Sequence, residues 1–485
     1  MRLETGRLLL LLILVGLAST AFADIPINER VSIDGNLRFR GFIDDRDFDS
    51  VNTDPAYYAT MRTMIGFKIQ ATDDVLFRAK IRDSRYVGVP YTNTVPGGAD
   101  ATTVNTQSSS QLELQEGYLF ANDILGTRLD LQIGRFEMEY GRGRLLGASG
   151  WNVAGPRAYD GFRFMWHKPG FQLDVFASII RDYSFGTIWP NYRPPNGWVG
   201  GIYQYSENAG YNEQKRYLAG VAASFMDGAL QPLLLIDYDT FDNTYTYESG
   251  DWVPGTIAAQ KEQEFWITPA LYTNFTFSED GGSRWELEGD FAAQMGATND
   301  NGAYPDSYSL LSFLAALEVR VHGNDNSEPF VGIGADYTGV GEGDGDPQDV
   351  YVFYQDYYTQ HAFRGAMDYF WNVNNGLIDG FITFGATPTD WLCLKADIHN
   401  FSFATSQGRV RPNGKVENLK QLGQELDLLA GFKIKKGFRL DAGYNMFFPT
   451  QEFAMRLNQT VYTPGVPNQS DAFSYYAYLV FTTMF

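Results

Sequence analysis

The sequence predicts an all-β fold: a transmembrane antiparallel β-barrel of about 18 strands, with short periplasmic turns and long extracellular loops. Three observations predict it. Apolar and polar residues alternate with period two through segments of about ten to fifteen residues, so each strand turns one face to oil and the other to water. The connections between those segments alternate short and long, as they must when every second turn lies on the periplasmic side. The chain also opens on an export signal.

Composition agrees. The 485 residues carry 58 Asp and Glu against 37 Lys and Arg, a net charge of −21, with 36 Phe, 30 Tyr, 9 Trp and 50 Gly. So many aromatics exclude a disordered chain. The acid excess excludes nucleic acid as a partner, because a phosphate footprint needs a basic face. No apolar run reaches the ~18 residues that a membrane helix needs. Cys393, the single cysteine, allows neither an internal disulfide nor a cysteine-based zinc site.

The elements follow in order. Arg2 and Arg7, the apolar run Leu8 to Ala18 and the small-residue site Ala21-Phe22-Ala23 read as a signal peptide over 1–23. Residues 24–485 then form one barrel, since no linker or composition shift divides them. Its strands are expected at 29–43, 60–70, 74–86, 111–121, 127–140, 158–168, 171–181, 215–226 and 231–241. They continue at 263–277, 283–295, 309–322, 328–338, 378–386, 390–404, 423–435, 437–448 and 473–485. Short turns follow the even strands, and long loops such as 87–110, 182–214, 242–262, 339–377 and 449–472 follow the odd ones. Closing the sheet leaves no backbone edge in hydrocarbon. Tyr444, Phe448, Tyr475, Phe481 and Phe485 end apolar faces where interfacial aromatic girdles belong. A barrel of this size is expected to enclose a water-filled lumen, not a packed core.

If the apolar set faces lipid, the polar set lines the lumen. On the first three strands it comprises Arg38, Arg40, Arg62, Lys68, Arg78, Lys80 and Arg82, with Asp34 and Asp74 as the chief acids. Arg163, Arg320, Lys395, His399 and Arg439 join on the same parity. Arg135 falls on the apolar parity of Leu131 and Ile133, and joins only if Gly134 marks a bulge. A ladder of fixed cations favours anions by offsetting their desolvation. Strand 11 opposes it with Glu286, Glu288 and Asp290 beside Arg284, so a bipolar lumen is expected. The acid excess falls mostly in loops, at Asp44, Asp45, Asp47 and Asp49 and in Gly341-Glu342-Gly343-Asp344-Gly345-Asp346. These clusters are candidates for Ca²⁺ or for cations shared with outer-membrane lipid and lipopolysaccharide, without an EF-hand spacing behind them. No other cofactor is expected. Nor is an enzyme: His167, His322, His361 and His399 stand in no metal motif, and Gly147-Ala148-Ser149-Gly150 is not a nucleophile elbow.

Two blocks carry a family resemblance. Gly134-Arg135-Phe136, then Gly141 to Gly147 with Arg144, then Trp151, Arg157 and Tyr159-Asp160-Gly161 with Arg163 resemble the alginate export family of outer-membrane porins. Thr359 to Phe370, which includes His361 and Asp368, is similar to that family's T-x-H-x-F-x-G-x-M-D-x-F stretch. The endings Asp397-Ile398-His399-Asn400-Phe401, Phe447-Phe448-Pro449 and Tyr478-Leu479 also fit. The resemblance implies an eighteen-stranded barrel with an arginine-rich constriction that passes an anionic polysaccharide such as alginate outward. A passive porin for small anionic solutes is the alternative. Both blocks begin in or lie on long loops, so they are expected to fold into the lumen or its mouth, with Arg144, Arg157, Asp160, His361 and Asp368 bracing the constriction. A monomeric barrel, fed by periplasmic export-complex proteins, is the expected assembly.

Overall fold

The alternating pattern closes into a barrel. In the computed structural model the described residues are 25–46, 55–87, 112–147, 151, 156–182, 214–243, 245–248, 251–254, 260–278, 283–299, 307–324, 327–342, 350–352, 363–367, 370, 376–410, 416–450, 453 and 474–485. The barrel strands are β1 Val31–Asp45, β2 Ala56–Gln70, β3 Val75–Tyr86, β4 Glu113–Ala121, β5 Leu129–Glu137 and β6 Ala158–Lys168. They continue as β7 Phe171–Asp182, β8 Gln214–Phe225, β9 Leu230–Asn243, β10 Gln260–Ser278, β11 Arg284–Asn299 and β12 Ser307–His322. The last six are β13 Phe330–Thr338, β14 Leu377–Thr389, β15 Leu392–Val410, β16 Val416–Lys435, β17 Phe438–Pro449 and β18 Ser474–Met484. Each pairs antiparallel with its sequence neighbours, and β18 pairs with β1 from Asn36↔Met484 to Asp45↔Tyr475. All eighteen expected strands are present, their ends shifted by up to seven residues, the most at the start of β16.

Short pieces were not expected. Ile25–Asn28 pairs with the start of β1, and two small hairpins, Tyr245–Glu248 with Asp251–Pro254 and Val340–Glu342 with Val350–Val352, lie in segments expected to be loops. On the outer face, Phe67, Phe77, Phe277, Trp285 and Trp391 stand exposed near the short turns. Tyr57, Tyr217, Phe265 and Phe448 stand exposed near the long-loop end. Rings at both rims suit the two headgroup levels of a bilayer.

The interior departs from the expected water-filled lumen. Two apolar clusters lie inside: Phe136, Met138, Leu146, Tyr159, Phe176 and Leu218 form one, and Met367, Phe370, Phe401, Phe447, Phe453 and Tyr476 belong to the other. Each cluster joins inward strand residues to a segment that has entered the barrel, so part of the lumen is packed core.

Candidate channel constriction

The first inserted segment follows β5. Tyr140 accepts a hydrogen bond from the Gly143 amide at 3.0 Å and donates its own amide to the Leu146 carbonyl at 3.0 Å, closing a tight turn. Gly141 makes that turn possible: its φ is +61°, and a Cβ there would stand 2.9 Å from the Tyr272 ring. Met138 and Leu146 anchor the base of the turn against β5–β9, while Arg142 and Arg144 cross to the acidic wall. Arg142 lies 3.2 Å from Glu288 and 3.4 Å from Glu318. Arg144 lies 3.1 Å from Asp290 and forms a second, very short ion pair with Asp336.

The second inserted segment, 363–367 with Phe370, meets the first. Phe363 lies under both guanidinium groups, 4.1 Å from that of Arg144 and 5.1 Å from that of Arg142. Arg364 reaches Asp336 at 3.4 Å and donates a short hydrogen bond to Thr338. The amides of Ala366 and Met367 donate to Asp427 and Glu425 at 3.0 and 2.8 Å. Arg46, stacked 3.9 Å from the Tyr476 ring centre, donates to the Met367 carbonyl at 2.9 Å. Arginine suits this task because its planar fork serves two acceptors at once.

Between the inserted segments and the wall lies a cavity of about 470 Å³. Arg38, Arg142, Arg144, Arg320, Arg364, Lys395 and Arg439 line it, and so do Glu318, Asp336, Asp379, Asp397, Asp427 and Asp441. Most of these charges are matched locally: Arg320 with Glu318 at 2.6 Å, Lys395 with Asp397 at 2.7 Å and Arg439 with Asp441 at 2.6 Å. The basic concentration is on β1 and β2. There Arg38 faces Arg62 in register, and Arg38 and Arg40 both donate to the Trp151 carbonyl. Arg40 also sits 5.0 Å from the Trp151 ring centre, and Trp151 packs edge-on against Tyr478 at the cavity.

The remaining expected site residues divide. Lys68 and Arg78 share Asp34, and Arg78 and Lys80 share Glu116, on the inner face toward the short turns, while Arg82 pairs with Glu113 toward the long loop between β3 and β4. Arg163 points inward and pairs with Asp174. His399 is inside, 2.8 Å from Asp379. Arg135 and Asp160 do not line the lumen. Gly134 introduces no register shift, so Arg135 stays in phase with exposed Ile133 and pairs with Asp160, which shares a row with exposed Ile179. Arg157 is exposed beside the start of β6. His361 and Asp368 lie outside the described residues, as do Asp47, Asp49 and the 343–346 part of the second acidic cluster. Asp44, from the first cluster, is held by Arg46 at 2.6 Å and by the Tyr58 hydroxyl at 3.0 Å. Arg142, Arg364, Asp336, Asp379 and Asp427 are the constriction residues that the sequence reading missed, although Asp336, Asp379 and Asp427 all sit on the polar parity of their strands.

A closed eighteen-strand barrel whose lumen is narrowed by inserted, ion-paired segments defines an outer-membrane channel. A model of the family described as alginate export matches residues 29–458, and the chain belongs to that family. No functionally curated protein matches it. Solved structures similar to it include OpdK of Pseudomonas aeruginosa with vanillate, at 12% identity over 93% of this chain and 98% of that one, TM-score 0.47. Others are OccK9 (OpdG) of the same organism, at 11% over 94% and 98%, TM-score 0.49, and OccAB2 of Acinetobacter baumannii, at 13% over 94% and 98%, TM-score 0.48.

Proposed function

We propose that this outer-membrane channel passes an anionic, uronate-rich polysaccharide of the alginate type. The observation that carries the reading is Arg38 and Trp151 side by side on the cavity wall, with Arg40 and Arg62 gathered behind them. A guanidinium offers a carboxylate two parallel donors, and an indole offers a pyranose ring a flat apolar face. Uronate units present both groups at every sugar. The acid-bearing wall opposite is bridged by Arg142 and Arg144, which lowers its repulsion toward a passing polyanion. Periplasmic assembly proteins that deliver the polymer, and outer-leaflet lipopolysaccharide around a monomeric barrel, belong to the same proposal.

Single-channel conductance in planar bilayers tests it. Uronic-acid oligomers should block the wild-type current from the micromolar to millimolar range, and Arg38→Ala should weaken the block about tenfold, the effect of ~1.4 kcal/mol from one charge-assisted contact. Free passage of small organic anions with no effect of oligomers would overturn the polysaccharide reading in favour of a diffusion porin.

A further inference from the structure

The wall formed by β14, β15 and β16 gathers carboxylates around one imidazole. Nδ1 of His399 lies 2.8 Å from Asp379 Oδ2 and 3.0 Å from Oδ1, so in the neutral ring Nδ1 carries the proton. Nε2 then presents its lone pair on the other side. The nearest carboxylate oxygen recorded there, Asp427 Oδ2, is 3.7 Å away, too far for a hydrogen bond. Asp397, two residues along β15, is the register partner of Asp427. One donor atom from each of Asp397, His399 and Asp427 lies within 4.8 Å of the others.

Two features show that this group is not self-sufficient. Asp397 and Asp427 face each other directly across the ladder, an arrangement in which like charges repel. Their Oδ1 atoms are also buried and accept no hydrogen bond from an N–H or hydroxyl group among the described residues, and Asp427, only 7% exposed, stands against the Glu425 carboxyl. Leaving a buried carboxylate oxygen unmatched costs about 1–3 kcal/mol. Lys395 reaches Asp397 through Oδ2 and leaves Oδ1 unmatched. A cation between the two aspartates and Nε2 would satisfy all three groups at once.

We propose that Asp397, His399 and Asp427 bind one divalent transition-metal ion of the Zn²⁺ class. The imidazole selects against Ca²⁺ and Mg²⁺, which prefer oxygen alone. Asp379 is the positioning residue: it fixes the tautomer and aims Nε2, as the outer carboxylate of a carboxylate–histidine–metal arrangement does. Three protein ligands leave a coordination position open, and all three line the cavity, so that position faces the solute path.

The test uses the full-length barrel in detergent, stripped with chelator and titrated with Zn²⁺ by calorimetry and with Co²⁺ by visible absorption. One ion should bind per chain. His399→Gln and Asp427→Asn should each weaken binding by more than about 100-fold, and Asp379→Asn, which keeps all three ligands, by about 10- to 100-fold. Heat-modifiable electrophoretic mobility checks that each variant has folded. Should a variant fail to fold, the wild-type Co²⁺ spectrum decides alone: it must saturate at one ion per chain and be bleached by Zn²⁺. If wild-type protein binds Zn²⁺ no more tightly than His399→Gln, or shows no saturable Co²⁺ spectrum, the proposal is wrong and His399 serves the wall through its hydrogen bond to Asp379 alone.

Discussion

Arg144 is the residue on which the constriction turns. It is 4% exposed and joins the segment after β5 to Asp290 on β11 and to Asp336 on β13. Asp336 is 2% exposed, so removing one of its cationic partners strands negative charge in a site that water barely reaches. Breaking a buried pair by deleting one partner costs about 3–5 kcal/mol. Arg144→Ala should therefore lower the stability of the folded barrel by that order in urea titrations from lipid vesicles, and Arg144→Lys should recover only part of it, because a point charge cannot reach both carboxylates as a fork does. An unchanged unfolding midpoint in Arg144→Ala would remove the brace from this account. The resemblance of the Gly141-to-Gly147 stretch to the alginate export family singled this residue out in the sequence. Arg135 was misread on the assumption of a bulge at Gly134, because a glycine in a strand has two readings and only the register Gly134↔Gly161 separates them.

At the scale of elements, the strands were legible because lipid outside and water inside impose one period on every wall. That rule fails where an inserted segment replaces the water. Leu233, Leu234, Leu235 and Ile236 run apolar on both faces of β9, and Phe401 and Phe403 on β15 point inward to pack on the second insertion. Runs that break alternation thus mark the wall against which a segment docks, a signal available from sequence. The three- and four-residue hairpin strands had no such signal, being too short for any period to show. The second insertion hinges on Gly365, whose φ is +79° and whose missing Cβ makes room for the Glu425 carboxylate. An alanine there meets both backbone strain and a buried acid, a cost of order 1–3 kcal/mol from the strain alone. Gly365→Ala should lift the segment from Glu425 and Asp427 while leaving the wall intact. Single-channel conductance should rise, and a conductance equal to wild type would show that this segment does not narrow the pore.

For the whole molecule, the decisive bond is the seam. Ten register pairs join β1 to β18, and the Gly35 and Phe485 backbones exchange hydrogen bonds of 2.7 and 2.9 Å at its short-turn end. Without β18, β1 and β17 would both present open edges to hydrocarbon, and each unpaired group there costs several kcal/mol. The inner face would fail with the outer one. Tyr476, Tyr478 and Val480 on β18 hold the ring of Trp151 and the cluster around Phe401, so the seam also supports the wall that carries Arg38 and Arg40. Lipid-facing closure and lumen chemistry are thus the same structure seen from two sides. A chain lacking residues 474–485 should give no heat-modifiable band and no vesicle-inserted fraction after refolding into detergent or lipid. A shortened chain that inserted and conducted would mean that the sheet closes by β17 pairing with β1, and the register that places Arg38 opposite the inserted segments would have to be redrawn.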